Sequence, residues 1–114
     1  MTDIHHHQAW TDTVAIYPGA GTGNEKALTY VGLQLASEAG EVAGKIAKMF
    51  RDDGGQLSNE RRAAIIKEAG DVYWYLARLC RELRVNPSEV LMTNIDKIND
   101  RNERDKLKGS GDDR

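Results

Sequence analysis

Cysteine, aromatic residues and excess basic charge are all scarce in this sequence. Cys80 is the sole cysteine, which excludes an intrachain disulfide and is typical of a reducing cytoplasm. Aromatic residues make up 6% of the chain, so the core must consist mainly of aliphatic side chains. The formal net charge is −2, which argues against binding to a nucleic acid polymer, because such proteins need a basic surface.

Long hydrophobic runs are absent as well. No segment approaches the length of a membrane span, and the N-terminus has no apolar leader region. We therefore expect no membrane partner and a cytoplasmic location. With 114 residues, the chain has the size of one domain. A chain of this length can bury roughly 65% of its unfolded surface, which is enough for a core.

Hydrophobic spacing predicts an all-α fold with helices over residues 2–16, 24–50, 58–83 and 87–101. In the second and third helices, apolar residues recur at intervals of three and four, which is typical of a helix with one buried face. The second-helix stripe consists of Leu28, Val31, Leu35, Ala39, Val42, Ile46 and Met49 or Phe50. The third-helix stripe consists of Ile65, Val72, Leu76, Leu79 and Leu83, widened by Ala69, Tyr73 and Cys80. Trp74 falls outside this stripe, and we expect it to be exposed or at a subunit interface.

A glycine-rich stretch over residues 17–23 separates the first two helices. Its spacing is not that of a phosphate-binding P-loop, and no strand precedes it. We interpret it as a flexible connector, with a mobile lid over a site as the alternative. Cys80, on the apolar side of the third helix, is interpreted as a buried structural thiol.

Two short acidic phrases lie in the middle of the second and third helices. Each places two carboxylates three residues apart with Ala-Gly between them, Glu38 with Glu41 and Glu68 with Asp71. Residues three apart share one face of a helix, and both pairs border the apolar stripe of their helix. If the two helices lie side by side, four carboxylates converge, which favours binding of Mg²⁺ or Mn²⁺ through hard oxygen ligands.

A single pair of this kind is common on a solvated helix surface, where Glu41 would simply pair with Lys45 one turn on. The repetition of the pattern argues against that interpretation. Glycine inside a helix costs about 1 kcal/mol relative to alanine, and both phrases contain one at the matching position, Gly40 and Gly70. We interpret the glycines as a sign of close helix approach or ligand access, and the carboxylates as an active site.

Three segments carry a family resemblance, namely residues 33–42, 68–76 and 94–97, with Lys48 after the first. Glu-x-x-Glu followed by Glu-x-x-Asp, with 26 residues between the pairs, resembles the MazG family of all-α nucleoside triphosphate pyrophosphohydrolases. The resemblance extends over residues 7–104. The N-terminal segment and the Gly-Ser-Gly-Asp-Asp-Arg ending are similar to those of small, single-domain, phage-type members.

The resemblance implies a four-helix MazG-like bundle over residues 1–104, completed by homo-oligomerisation as a homodimer or homotetramer. Residues 105–114 form a C-terminal tail that composition alone predicts to be disordered, whereas the resemblance implies folding over the site or over a neighbouring subunit. The implied reaction converts a nucleoside or deoxynucleoside triphosphate and water into the monophosphate and pyrophosphate. For a phage-encoded chain, the location would be the host cytoplasm.

The resemblance also implies roles for individual residues. Glu38, Glu41, Glu68 and Asp71 would hold Mg²⁺, or Mn²⁺ as a substitute; Glu38 and Glu41 would be catalytic, with Glu41 as general base for the attacking water. The residues expected at the phosphates are Lys48, Lys97, Arg101 and, as a weaker candidate, Lys45. The residues expected at the sugar, base or a phosphate are Asn94, Gln8, Trp10 and Thr11.

Two other functions suit a helical chain with clustered acids. A di-iron carboxylate enzyme needs Glu-x-x-His pairs in its helices, but the three histidines are residues 5–7 and none follows a central glutamate. A non-catalytic helical interaction module with solvated acidic faces would bind no divalent metal. The preferred nucleotide and the number of metal ions do not follow from the sequence.

Overall fold

A computed structural model describes residues 1–104, which form four α-helices and no β-strand. The helices are α1 (Ile4–Val14), α2 (Glu25–Asp52), α3 (Asn59–Glu82) and α4 (Pro87–Glu103). The predicted all-α class is therefore confirmed, and each helix boundary lies within two residues of its predicted position. Within residues 1–104, no helix combines the length and apolar character that a bilayer crossing needs. The expectations for the tail at residues 105–114 lie outside the described residues.

Polar side chains cap the start of each described helix. At α1, an Asp3 oxygen accepts hydrogen bonds from the backbone N–H groups of His5 and His6, both at 2.9 Å. The corresponding capping residues of the other helices are Asn24, Ser58 and Asn86. These bonds satisfy N–H groups that have no partner within the first helical turn. Short polar residues in the sequence therefore determine where the helices begin.

The long helices α2 and α3 pack side by side in antiparallel directions. At one end of the pair, the Gly23 N–H donates to Glu82 at 2.8 Å. At the other end, the Arg61 Nε lies 2.8 Å from the Asp53 Oδ2. This alignment brings the middle of α2 to the middle of α3, where both acidic phrases lie.

Helix α1 packs against the C-terminal half of α3 and runs in the same direction. The Gln8 Nε2 donates to the Ala77 carbonyl at 3.3 Å, and the Arg81 Nη2 lies 2.8 Å from the Asp12 Oδ2. The chain leaves α1 at Ala15, whose backbone is extended. That extended residue explains why α1 ends earlier than residue 16.

The buried core lies at one end of the α2–α3 pair. Tyr17, Ala27 and Val31 are buried at its centre. Partly buried side chains packed around them are Ala15, Ala20, Tyr30, Trp74, Tyr75 and Leu79. Trp74 is therefore partly buried and not simply exposed, whereas its placement at a subunit interface stays a prediction. Tyr17, arriving from the connector, supplies the contact, with its ring centre 6.4 Å from that of Trp74.

Much apolar surface stays uncovered in the single chain. Ile46 and Phe50 of the α2 stripe are exposed, so that stripe is buried only in part. Between α1, α3 and α4 lies a cavity of 240 Å³ with an almost entirely apolar lining. Exposed apolar residues around this cavity are Tyr73, Leu76, Leu83, Val90 and Leu91. Cys80 is buried there, as predicted, and burial raises the pKa of its thiol.

Candidate active site

Carboxylates from α2 and α3 meet near the middle of the antiparallel pair. One oxygen from each of Glu38, Glu68 and Asp71 lies within 4.8 Å of the other two. Glu38 and Glu68 are half-buried, whereas Asp71 is exposed. The structure thus brings together three of the four residues predicted as metal ligands, and we call these three the carboxylate cluster.

Within the cluster, burial and neighbouring negative charges destabilise the charged form of the Glu38 carboxyl. Burial raises the pKa of the Glu38 carboxyl above its ordinary value, and the charges of Asp71, Glu68 and Glu41 raise it further. A divalent cation between the carboxylates would remove this repulsion. An octahedral Mg²⁺ site separates neighbouring and opposite oxygens by about 3 to 4 Å, which is close to the spacing here. The donor set therefore fits a hard divalent cation.

Glu41 lies one turn along α2 from Glu38, at the rim of the cluster. Its side chain is exposed, and its oxygens are not among the three that converge in the described chain. Its charge nevertheless acts on Glu38. Glu41 is therefore close enough to influence the cluster while remaining open to water.

Two tyrosines stand beside the cluster. Tyr75 interacts electrostatically with Tyr30 and with the carboxylates of Glu38 and Asp71. Burial, Tyr30 and the two carboxylates raise the pKa of Tyr75 to about 12, so its hydroxyl stays protonated at neutral pH. Tyr75 follows Asp71 by one helical turn, so the sequence alone places these two residues on the same face of α3. Sequence reasoning missed Tyr30, because it precedes Glu38 by two turns and only packing against α3 brings it close.

The predicted phosphate-binding residues are spread over two helices. Lys45 and Lys48 are half-buried on α2, towards its C-terminal end from the acidic phrase. Arg101, on α4, is buried. Lys45 and Lys48 therefore share α2 with Glu38 and Glu41, whereas Arg101 lies on α4.

Asn94 and Lys97 line a cavity of 440 Å³ beside Leu83. Leu83 comes 12 residues after Asp71, which separates the backbones of these two residues by about 18 Å along the α3 axis. Neither Asn94 nor Lys97 is among the residues of the carboxylate cluster.

The predicted nucleotide-binding residues of α1 differ in accessibility. Gln8 is buried and bonded to the Ala77 carbonyl. Thr11 is fully buried; its hydroxyl donates to the Gln8 carbonyl at 2.7 Å and accepts from the Arg78 Nη1 at 3.0 Å. Trp10, by contrast, is 52% exposed. Gln8 and Thr11 therefore hold α1 against α3, and of the three only Trp10 offers an open surface.

Glu82 ties the glycine-rich connector to the end of α3. Its carboxylate accepts hydrogen bonds from the Tyr17 hydroxyl and from the N–H groups of Gly21 and Gly23, the latter two at 2.8 Å. Burial acts to raise the pKa of Glu82, but these bonds outweigh it and hold the pKa below its ordinary value. Glu82 is about 16 Å along α3 from Asp71. Glu82 therefore anchors the connector at the end of α3 in the described chain, and the alternative of a mobile lid stays a prediction.

Comparison with known proteins agrees with the sequence resemblance. The family model for the MazG nucleotide pyrophosphohydrolase domain matches residues 27–104, which include all four predicted ligands. The Gene 37 protein of Mycobacterium phage L5 is 41% identical over 109 residues, which cover 95% of this chain and 96% of the phage protein. The name of that protein states no activity. No solved structure gives a significant match.

Proposed function

The chain belongs to the MazG nucleotide pyrophosphohydrolase domain family, and from that premise we propose that it hydrolyses a nucleoside or deoxynucleoside triphosphate to the monophosphate and pyrophosphate. Mg²⁺ is the proposed cofactor, with Mn²⁺ as a substitute. The observation that carries the proposal is the convergence of oxygens from Glu38, Glu68 and Asp71 within 4.8 Å. All three residues lie within the range that the family model matches.

The proposed chemistry assigns different tasks to the four acidic residues. When bound, the cation supplies positive charge for the polyanionic substrate and lowers the pKa of water. Glu38, Glu68 and Asp71 hold it, since together they offer three clustered oxygens. Glu41, exposed at the rim, accepts the proton of the attacking water. The water oxygen bonds to phosphorus while the bridging bond between the α- and β-phosphate groups breaks.

The remaining contacts with the substrate are proposed from charge and accessibility. Lys45 and Lys48 share α2 with Glu38 and would neutralise the phosphates. Trp10 offers an exposed ring on which a base can stack. Gln8 and Thr11, whose hydrogen bonds are made within the chain, would support the base site by holding α1 in place.

Asn94, Lys97 and Arg101 lie on α4, and we propose that they reach the phosphates from a neighbouring subunit. The support is that Asn94 and Lys97 line a cavity with Leu83, whose backbone lies about 18 Å along α3 from that of Asp71 in the same chain. Assembly as a homodimer or homotetramer is also supported by the apolar surface that one chain leaves uncovered.

The test is release of pyrophosphate and monophosphate from a panel of ribo- and deoxyribonucleoside triphosphates, with Mg²⁺, Mn²⁺ or EDTA. We expect metal-dependent release that falls about 100-fold or more in Glu41→Gln, which removes the proposed base. Asp71→Asn removes a clustered ligand and should abolish release at the metal concentration that saturates the parent.

Glu60→Gln is the matched control, because it removes the same charge from α3 away from the cluster. Its activity should equal that of the parent. Absence of turnover of every nucleotide, with the same weak metal binding in the parent and in Asp71→Asn, would overturn the proposal and favour a non-catalytic interaction module.

A further inference from the structure

We infer that Tyr17 is a positioning residue for the carboxylate cluster, acting through Tyr30 and Tyr75. The inference rests on the proposed function, because it assigns the cluster to metal binding. Tyr17 lies in the connector between α1 and α2, outside the range of residues 27–104 that the family model matches. The inference therefore extends the site to a segment that the family match does not include.

The first step is the rigid anchoring of Tyr17. Its side chain is buried, and its hydroxyl donates to Glu82 while accepting from the Arg78 Nε at 3.1 Å. Both partners are themselves buried, with 4% of Glu82 and 2% of Arg78 exposed. The Arg78 guanidinium also lies 5.7 Å from the Tyr17 ring centre. Charge-assisted bonds between buried groups leave the ring little freedom to move.

The second step is the packing of aromatic rings from Tyr17 towards the middle of the helix pair. The Tyr17 ring stacks on Tyr30 with 5.3 Å between centres and 21° between planes. It also meets the edge of Trp74, whose ring centre is 4.9 Å from that of Tyr75. These separations are those at which aromatic pairs attract each other. Tyr17 therefore packs against Tyr30 of α2 and against Trp74 of α3, and Trp74 in turn contacts Tyr75.

The third step links Tyr75 to the carboxylates. Tyr75 lies one turn after Asp71 on α3, and it interacts electrostatically with Tyr30, Glu38 and Asp71. Removal of the Tyr17 ring would leave a cavity beside Tyr30 and Trp74 into which these side chains can relax. A resulting shift of Tyr75 would change the spacing of the carboxylate oxygens, and metal affinity is sensitive to such outer contacts.

The experiment measures the Mn²⁺ affinity of Tyr17→Phe and Tyr17→Leu against the parent, with pyrophosphate release measured alongside. Tyr17→Phe keeps the stacked ring and loses the hydroxyl bonds, whereas Tyr17→Leu loses the ring. We expect the dissociation constant for Mn²⁺ to rise about threefold to tenfold in Tyr17→Leu. This rise does not exceed the effect of replacing a residue that hydrogen bonds directly to a metal ligand. Tyr17→Phe should show a smaller rise, since its ring still contacts Tyr30.

Arg84→Ala is the matched control for loosening of the connector. The Arg84 Nη2 donates to the Thr22 carbonyl at 2.9 Å and does not bond to Tyr17. This variant should lose stability while its Mn²⁺ affinity stays that of the parent. If Tyr17 only stabilised the fold, the Tyr17 variants would likewise lose stability and keep the Mn²⁺ affinity of the parent.

Unchanged Mn²⁺ affinity in folded Tyr17→Leu would overturn the inference, as would an equal loss of affinity in Arg84→Ala. If circular dichroism shows that Tyr17→Leu does not fold, the comparison of Tyr17→Phe with Arg84→Ala decides, and equal affinities overturn the inference. Failure of the parent to bind Mn²⁺ is a different result, because it overturns the proposed function itself.

Discussion

At the scale of single residues, Glu38 combines partial burial with repulsion from three other acidic residues. Both effects raise the pKa of its carboxyl. A carboxyl whose pKa is raised on folding costs stability at neutral pH, and the cost disappears as pH falls through the folded-state pKa and the group takes up a proton. Retaining the charge at neutral pH is therefore useful only if a cation or another ligand offsets the repulsion.

Glu38→Gln should accordingly stabilise the metal-free protein and remove its response to metal. In EDTA at pH 7, we expect the thermal midpoint to rise by about 1 to 4 °C, because one member of a repelling cluster becomes neutral. Saturating Mg²⁺ should raise the midpoint of the parent but not that of the variant. Differential scanning fluorimetry with and without metal measures both effects.

Glu41→Gln provides the comparison for this prediction, since Glu41 is exposed and lies outside the cluster. Its midpoint in EDTA should rise less than that of Glu38→Gln. A lower midpoint for metal-free Glu38→Gln would show that Glu38 is held by favourable contacts, and would contradict the account of the cluster as a repulsive site.

At the scale of elements, the connector has three glycines in the left-handed region, and two of them donate to Glu82, namely Gly21 with φ of 82° and Gly23 with φ of 72°. Their surroundings differ. A Cβ at Gly23 would lie 3.0 Å from the Glu82 carbonyl oxygen, whereas a Cβ at Gly21 would meet nothing within 4 Å. Alanine at Gly21 therefore reports the cost of backbone strain alone, whereas alanine at Gly23 adds the cost of close contact with α3.

We expect Gly23→Ala to lower the free energy of unfolding by about 2 kcal/mol or more, since strain and a clash with backbone act together. Gly21→Ala should cost about 1 kcal/mol from backbone strain alone. Both variants keep the N–H group that bonds to Glu82. Urea denaturation followed by circular dichroism gives the free energy of unfolding of both variants. Equal losses would mean that the end of α3 moves away from the added methyl group at no cost in free energy.

The helix glycines require a different explanation. The sequence suggested that Gly40 and Gly70 mark close helix approach or ligand access. In the described chain, a Cβ added at either position meets nothing within 4 Å, so close approach of α2 to α3 is not the reason for these glycines. Ligand access stays a prediction.

At the scale of the whole molecule, the chain buries a small core and leaves the apolar cavity between α1, α3 and α4 open to solvent. Leu91 lines this cavity and is 50% exposed, while Met92, the next residue of α4, is similarly exposed but does not line it. Apolar surface of this kind marks interaction sites, and the proposed homo-oligomer would cover it.

Leu91→Glu should weaken self-association about 100-fold or more, because burial of an unpaired charge costs several kcal/mol. Light scattering after size exclusion should give a dimer or tetramer for the parent and a monomer for the variant. Met92→Glu, the matched control, should keep the parent mass. A monomeric parent at micromolar concentrations would contradict the proposed assembly, and equal dissociation of both variants would move the interface to a wider surface of α4.

Much of the fold was predictable because its signals are local. Asn24 and Asn86 begin their helices through contacts with residues at most three positions away, and the acidic pairs share a face because of the helical repeat. Arg78 and Glu82 carried no such signal, since a charged residue near a helix end is ordinarily solvated. Each is buried by bonding to Tyr17, which is 61 and 65 residues away along the chain, respectively.

The sequence by itself determined the four helices, their caps and the carboxylates that share a face, because these depend on the spacing of neighbouring residues. Only the tertiary structure decided that Glu41 lies outside the cluster, that Glu82 anchors the connector at the end of α3, and that Tyr17 packs against Tyr30 and Trp74. Those outcomes depend on how the packed helices are rotated and aligned relative to each other. The helical repeat shows which side chains share a face of one helix, but it does not show which face contacts a segment that is distant in sequence.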